Sequence, residues 1–394
     1  MKTNYLDLLK SVEITGGDVN GFHSEADVRY NTSDGVPFSQ LWTEFDRTLE
    51  IWNQHKTGLA ALFTYPVVDE VEKVSSVGNV KFEKASEFGV AKAVKLNIDY
   101  YQLAYGWNDW DIATRFSWKF LRENNAAYLR TLHDKIMEAQ ELEIFTEVMK
   151  AIFDNRNRAS EVNGLGYNVY PLYNGSGPKP PDYNGTVFAS DHTHYLVSGN
   201  TLLDSEDIEG VIGTLTEHGY GRRSGTRIII LANQAVLDVV SGFRRNVANN
   251  NSKVAKYDWI PAPSQPAMFL TNADGLLGTQ PPDSWNGLVV AGSYGDAWFI
   301  EEATIPSGYL LAVATGGNIS ANNLVGIRQH ATPEFRGLRL LPGNWSAYPL
   351  IESQYQFGMG TGIRQRGGAT VMQIGSGANS DYDIPADFTH DTLT

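Results

Sequence analysis

Residues 112–153 read IATRFSWKFLRENNAAYLRTLHDKIMEAQELEIFTEVMKAIF. No Gly or Pro interrupts them. Leu121, Tyr128, Leu132, Ile136, Ala139, Leu142, Phe145, Met149 and Ile152 recur at threes and fours, so the stretch predicts one long helix. Asp109 or Asp111 is the expected cap and 155–164 the expected stop. About 38 residues would make a rod of roughly 57 Å, three times the ordinary length. The spacing is not heptad-regular, so the rod is expected to be a spine against which a sheet packs.

Upstream of the spine, Trp107-Asn-Asp-Trp-Asp111 leads back into a period of two. Val94, Leu96, Ile98 and Tyr100 alternate with Lys95, Asn97 and Asp99, and Val80 and Phe82 alternate with Lys81 and Glu83. Residues 77–105 therefore predict a long two-stranded hairpin with its tip at 85–89. Such a ribbon has little core of its own and should lie on another surface. The first 70 or so residues are polar and turn-rich. Within them Phe38, Leu41, Trp42, Phe45, Leu49 and Trp52 predict an amphipathic helix capped by Ser39, with Glu44 and Asp46 near its positive end.

Downstream, Gly175-Ser-Gly-Pro-Lys-Pro-Pro181 marks 164–199 as loop-rich. Asp204 then caps a helix through Ile208, Val211, Ile212 and Leu215, ended by Gly219 and Gly221. Residues 227–231 read as a buried strand, and Asn233 starts a helix running to Phe243. Strands follow at 288–292, 297–303 and 309–315. From Asn323 the alternation resumes through Ile327, Leu338, Leu340, Tyr355, Phe357 and 371–374. Residues 376–394 carry Asp381, Asp383, Asp387 and Asp391 with no Lys or Arg. No internal repeat of fixed period is present.

Composition narrows the function. At 394 residues and 42% hydrophobic, the chain has room for two to three domains. Its formal net charge of −14 is the wrong sign for a protein that grips phosphates. The absence of Cys removes disulfides, thiolate metal sites and cysteine nucleophiles together. No apolar run approaches the roughly 18 residues of a membrane span, and the start lacks the basic-then-apolar order of a signal peptide. A soluble protein without a membrane partner is expected.

No motif carries chemistry. Gly219-Tyr-Gly221-Arg-Arg-Ser-Gly225 follows a helix and precedes a strand, the reverse of a dinucleotide loop. Asp191-His192-Thr-His194 puts two imidazoles on one side of an extended segment and, with an acid elsewhere, is a conceivable zinc ligand set. Without a helical His-Glu-x-x-His it reads as a polar loop. Ser176 and Ser376 lie in turns rather than a nucleophile elbow. Glu301-Glu302, half of a conceivable glycosidase pair, reads as a strand end. Trp107, Trp110 and Trp118 are expected in a core or interface rather than stacking sugars. No catalytic residue, cofactor or metal is expected. The doublets Arg222-Arg223 and Arg244-Arg245 are candidates for pairing with carboxylates of a neighbouring copy.

The order of elements, carried by 77–105, 112–153, Arg227-Ile-Ile-Ile-Leu-Ala-Asn-Gln-Ala-Val236 and Val290-Ala-Gly-Ser-Tyr-Gly-Asp-Ala-Trp298, resembles the major capsid proteins of tailed bacteriophages, the Hong Kong 97-like fold. That resemblance implies an α+β chain laid out as an N-terminal arm with its helix (1–76), an E-loop hairpin (77–110), a P-domain with the spine helix (111–200), an A-domain (201–322), returning P-domain strands (323–379) and an acidic tail (380–394). It implies a self-assembling, non-enzymatic shell of hexamers and pentamers around double-stranded DNA bound without sequence specificity. It also implies a portal, possible scaffolding or decoration partners, and a place in the virion after assembly in the host cytoplasm. Inter-subunit contact is then expected at Phe82, Lys84, Phe88, Lys92, Arg222, Arg223, Arg244 and Arg245, with Lys84 and Lys92 as possible isopeptide donors. The alternatives are an encapsulin-like compartment, separated by its gene neighbours, and a carbohydrate-active surface protein, which would need a signal peptide and a carboxylate pair.

Overall fold

The computed structural model describes residues 31–54, 58–77, 98–162, 164–221, 225–263, 280–342 and 350–390. The chain divides into two compact units: Met1–Thr48, Ile112–Lys135 and Leu340–Tyr355 form one, and Leu49–Asp111, Ile136–Arg339 and Gln356–Thr394 the other. No helix among the described residues is long and apolar enough to cross a membrane.

The stretch expected to be a single rod is three elements. Asn108–Ser117 is a strand, Trp118–Glu123 a short helix and Ala126–Phe153 a helix of 28 residues, about 42 Å long. The absence of Gly and Pro did not guarantee continuity, because Ser and Asn side chains compete for backbone groups. The Ser117 side chain accepts from the Phe120 N–H and caps the short helix. Asn124 turns extended and donates its amide to the Phe120 carbonyl, and Asn125 accepts from the Tyr128 N–H to open the long helix. The Asp34 carboxylate accepts from the Ala126 N–H at the same point. In the strand the alternation is short but real: Thr114 and Phe116 are buried and Arg115 is exposed.

In the first unit, residues 38–48 of the Phe38–Gln54 helix bury Phe38, Leu41, Trp42 and Phe45 against Phe116, Leu121, Ala126 and Leu129. It begins after Pro37, so Ser39 lies in the first turn rather than at the cap, and its carbonyl accepts from Thr43 Oγ1. Glu44 acts through an ion pair with Arg130 at 2.8 Å rather than through the helix dipole. Where strand Asn108–Ser117 pairs with Leu350–Ile363, Thr114 Oγ1 and Ser353 Oγ meet at 2.6 Å, both buried.

The second unit is built on a seven-stranded mixed sheet in the order Tyr195–Val197, Ala369–Gln373, Tyr309–Thr315, Arg227–Ala232, Ala297–Glu301, Gly292–Tyr294, Trp259–Pro261. Arg227–Ala232 is central and covered on both faces, which is why it reads as an unbroken apolar run. Ile229 and Leu231 join a core with Val148, Met149, Ile152 and Phe153. Ile228 and Ile230 join another with Ile208, Val211 and Leu215 of the Ser205–Glu217 helix and Val236 and Val240 of the Gln234–Ser241 helix. The expected caps are in place: Asp204 and Asp207 make a capping box, and Asn233 accepts from the Val236 N–H. Strand Ala369–Gln373 lies antiparallel to Tyr309–Thr315 and parallel to Tyr195–Val197. The 323–379 stretch is therefore shared between sheets, since Val325–Arg328 pairs instead with Thr64–Val67 and with 360–363.

The hairpin is present, with its root earlier than expected. Val71–Val77 and Ile98–Ala104 pair antiparallel from Val71↔Ala104 to Val77↔Ile98, and the 80–96 alternation and the 85–89 tip lie outside the described residues.

Candidate functional site

Two arrangements of charged and polar side chains organise the second unit around strand Ala369–Gln373. The first is Arg366, which is 3% exposed. Its guanidinium donates to the carbonyls of Pro171, Leu172, Ser176 and Pro178 at 2.7–3.3 Å and to Asn174 Oδ1 at 3.3 Å. A Gly- and Pro-rich loop that cannot make helix or sheet satisfies its carbonyls on this one five-donor fork. Burial lowers the Arg366 pKa, yet the group remains a cation at any working pH.

The second arrangement lies beside the same loop. The Tyr173 N–H donates to the Arg366 carbonyl and the His194 N–H to the Tyr173 carbonyl, which fixes the segment carrying His192 and His194. The helix Ser205–Glu217 ends on His218, whose N–H donates to the Leu215 and Thr216 carbonyls, and Gly219, at φ +86°, turns the chain away. The three imidazoles converge. His192 Nε2 lies 3.2 Å from His194 Nε2 and 2.9 Å from His218 Nε2, and the last two are 2.9 Å apart. Phe188 stacks on the His218 ring at 3.7 Å between centroids. Burial, followed by repulsion among the rings, pushes His218 down to about 3 and holds His194 well below the usual histidine range. In His192 burial likewise outweighs Glu217 and Asp191. All three are neutral near pH 7.

The residues singled out from sequence meet different surroundings. Phe82, Lys84, Phe88, Lys92, Arg222 and Arg223 lie outside the described residues. The guanidinium of Arg244 is turned onto its own chain, where it donates to the carbonyls of Ser241 and Phe243 at 2.9 and 2.7 Å and closes the Gln234–Ser241 helix. Arg245 is exposed, and its backbone N–H donates to Asp258 Oδ1. Glu302 accepts from Thr304 in a local turn. Trp110 stacks on Phe357 at 5.1 Å and Trp107 lies under Arg328 and against His330; the Trp118 side chain is outside the described residues. Among the described residues the one His, Asp or Glu cluster with metal-ligand spacing is His192, His194 and His218.

Sequence reading missed Arg366, His218 and the anchoring of the C-terminal segment. Arg366-Gly-Gly368 carried a signal, an Arg set among glycines beside an apolar strand. His218 carried none, because its partners are 24 and 26 residues away and reach it only through the fold. In sequence the segment after Ser376 stands out for its carboxylates, whereas Tyr382 and Phe388 are the residues that bury. The Tyr382 hydroxyl donates to the Phe153 carbonyl at 3.0 Å, Phe388 packs on the Phe153 ring at 5.0 Å, and the His390 N–H donates to Asp154 Oδ2 at 3.1 Å.

No protein-family model matches the chain, and no curated protein matches it in sequence. Among solved structures, the mycobacteriophage capsid chain of Mycobacterium phage Patience is 42% identical, with 96% of this chain and 98% of that chain covered and a TM-score of 0.71. Much more distant are the mature capsid of bacteriophage PhiM1 (10% identity, 92% and 91% covered, TM-score 0.48) and a holo-SrpI encapsulin complex from Synechococcus elongatus PCC 7942 (10%, 82% and 87%, 0.42). At 42% identity over almost its whole length, the chain belongs to the major capsid proteins of tailed bacteriophages, with their Hong Kong 97-like fold, and is a structural component of the virion shell.

Proposed function

We propose that the chain is a purely structural subunit that closes, as hexamers and pentamers, into an icosahedral container for double-stranded DNA. The observation that carries this reading is the near full-length match at 42% identity to a phage capsid chain. A net charge of −14 supports a container that holds DNA without sequence-specific binding and leaves packaging to a motor acting through a portal. Assembly takes place in the host cytoplasm, with scaffolding and decoration proteins as candidate partners, and the finished shell is the container of the virion. In this reading 77–110 is the E-loop laid over a neighbour, 111–200 and part of 323–379 are the P-domain, and 201–322 is the A-domain. Phe82, Lys84, Phe88, Lys92, Arg222, Arg223 and Arg245 belong to the contacts between copies, and Arg244 reaches a neighbour only if it gives up its own helix end.

Negative-stain electron microscopy of the purified protein tests the reading. Closed shells or rings of five and six are expected, and a monomer at every concentration and salt would overturn it. Shells that carry a co-purifying enzyme in place of DNA would instead place the chain with compartment-forming relatives.

A further inference from the structure

We propose that His192, His194 and His218 form a binding site for a divalent transition-metal ion, with zinc as the ion the ligands suit best. The argument starts from hydrogen accounting. Each neutral imidazole nitrogen is either an N–H or a lone pair, so among three Nε2 atoms facing one another at least two are alike. His194 Nδ1 lies 2.7 Å from the Ala369 carbonyl and 3.2 Å from Thr370 Oγ1. A carbonyl only accepts, so Nδ1 carries the hydrogen and Nε2 presents a lone pair. His192 Nδ1 faces the Glu217 carboxylate at 3.7 Å, which favours the same tautomer. Two lone pairs then face each other 3.2 Å apart in a site where His194 is wholly buried. His218 Nε2 has at most one hydrogen to divide between them. Hydrogen bonding leaves this cluster frustrated; a cation that accepts three lone pairs does not.

The geometry is that of a metal centre. With Zn–N bonds of about 2.0–2.1 Å, a tetrahedral ion holds its ligand nitrogens roughly 3.3 Å apart, and the three separations here are 2.9, 2.9 and 3.2 Å. The surroundings match those of ligating histidines, whose second nitrogen is held by a carbonyl or carboxylate. The Ala369 carbonyl holds His194, and the Glu217 carboxylate lies 3.7 Å from His192 Nδ1. His218 sits at a helix C-terminus, where the dipole favours a cation. Gly367 lets the chain pass close to the His218 ring, since a Cβ there would lie 3.1 Å from its Nδ1. Glu217 and Asp191 act on His192 as negative charges, opposite in sign to Arg366, which acts on His194. Three imidazoles without a carboxylate select zinc, copper, nickel or cobalt over magnesium and calcium, and the fourth tetrahedral position falls to water. The bound ion would tie the 188–194 loop to the end of the Ser205–Glu217 helix, two segments that backbone pairing does not join.

The test uses the untagged, full-length protein, stripped with chelator and titrated with ZnCl2 alone. Expected are one zinc ion per chain by elemental analysis after washing and a rise in Tm that chelator reverses. With CoCl2 in its place, the strong visible bands of tetrahedral cobalt are expected. His192→Ala and His218→Ala, at half-buried positions, should each weaken zinc at least tenfold with the far-ultraviolet circular dichroism unchanged, whereas His330→Ala, outside the cluster, should leave zinc binding intact. If a ligand variant fails to fold, the wild-type stoichiometry and cobalt spectrum still decide. A wild-type protein that retains no zinc at micromolar concentration and leaves cobalt octahedral overturns the site. So does zinc binding that both variants preserve.

Discussion

The hairpin and the C-terminal segment look alike in sequence: both are extended, charged and without a core of their own. They end differently. Among its described residues the hairpin buries its root, where Leu103, Ala104 and Tyr105 are fully covered, while Tyr100, four residues before Ala104, is 56% exposed. The C-terminal segment is held along its described length by its own chain. Tyr382 and Phe388 pack near the end of the Ala126–Phe153 helix, and Asp154 accepts hydrogen bonds from both Arg156 and His390. What docks the tail is apolar anchoring rather than charge, since two aromatic side chains among the acidic residues bury against the chain's own core. In the proposed shell, the ribbon finds its partner in a neighbouring copy.

The sharpest way to break this contrast is to remove each element. Truncation after Gly377 deletes both aromatic anchors, each worth about 3–5 kcal/mol when buried, and should lower the Tm of the unassembled subunit by ten degrees or more. Deleting 78–97 and joining the strands with a short turn should leave that Tm nearly unchanged and abolish shells in electron micrographs. The wider deletion of 77–105 is not equivalent, because it removes Leu103 and Tyr105 from the core. A truncated subunit that melts like the wild type, or a ribbon deletion that still assembles, would end the comparison.

Single side chains sharpen it further. Phe388→Ala should cost about 3–4 kcal/mol in denaturant unfolding of the subunit. Tyr100→Ala should cost under about 0.5 kcal/mol there, with its effect confined to shell yield.

The tail's polar anchor should respond to pH. Burial opposes ionisation of Asp154, but hydrogen bonds from Arg156 and His390 outweigh it and hold the carboxyl well below the usual range. That stabilisation is fully present above an unfolded pKa of about 4 and is lost as pH falls toward the folded value. Burial pushes His390 down more strongly than Asp154 raises it, so below about pH 6.5 the unfolded chain takes up its proton first and stability again falls. Thermal melts should decline from about pH 6.5 downward, where His390 and the depressed His192, His194 and His218 all favour proton uptake by the unfolded chain, and fall further below pH 4. Asp154→Asn should cost about 1–3 kcal/mol at pH 7, with its gap from the wild type closing below pH 4. A wild-type Tm that is flat across this range would show that the pair holds nothing.

The smallest expected effect concerns long-range charge. Subunits of net charge −14 repel one another, and screening shortens that reach to about 10 Å at 0.1 M salt. Assembly followed by light scattering should strengthen a few-fold between very low ionic strength and about 0.1 M. A docked tail predicts that replacing exposed Asp383 and Asp387 with Asn changes this salt response only slightly.

Much of the fold was legible before any coordinates. Asp204 and Asn233 capped the helices they were expected to cap, and Gly219 and Gly221 ended the first of them. The run Arg227-Ile-Ile-Ile-Leu-Ala232 was a buried strand, because caps, glycine turns and apolar periodicity act over a few neighbouring residues and are written locally. The 112–153 stretch shows the limit of the same rules. Its helical reading was correct from Ala126 onward, and Ile136, Phe145, Met149 and Ile152 are buried, although Tyr128, Ala139 and Leu142 of the same expected stripe are exposed. The break at Asn124 rests on Asp34, Phe120 and Asn125 acting together, and one of those is 90 residues away in sequence. Strand Ala369–Gln373 could be read as a strand, whereas its place between Tyr309–Thr315 and Tyr195–Val197 follows from which apolar faces close over the sheet. His218 met His192 and His194, Arg366 met the 171–178 carbonyls, and Phe388 met Phe153 for the same reason. The sequence by itself determined most of the elements, the Asp204 and Asn233 caps and the family the order of elements resembles, since those depend on short-range chemistry. Only the tertiary structure decided which distant side chains share a site, because burial and convergence are properties of the packed chain and not of any window along it.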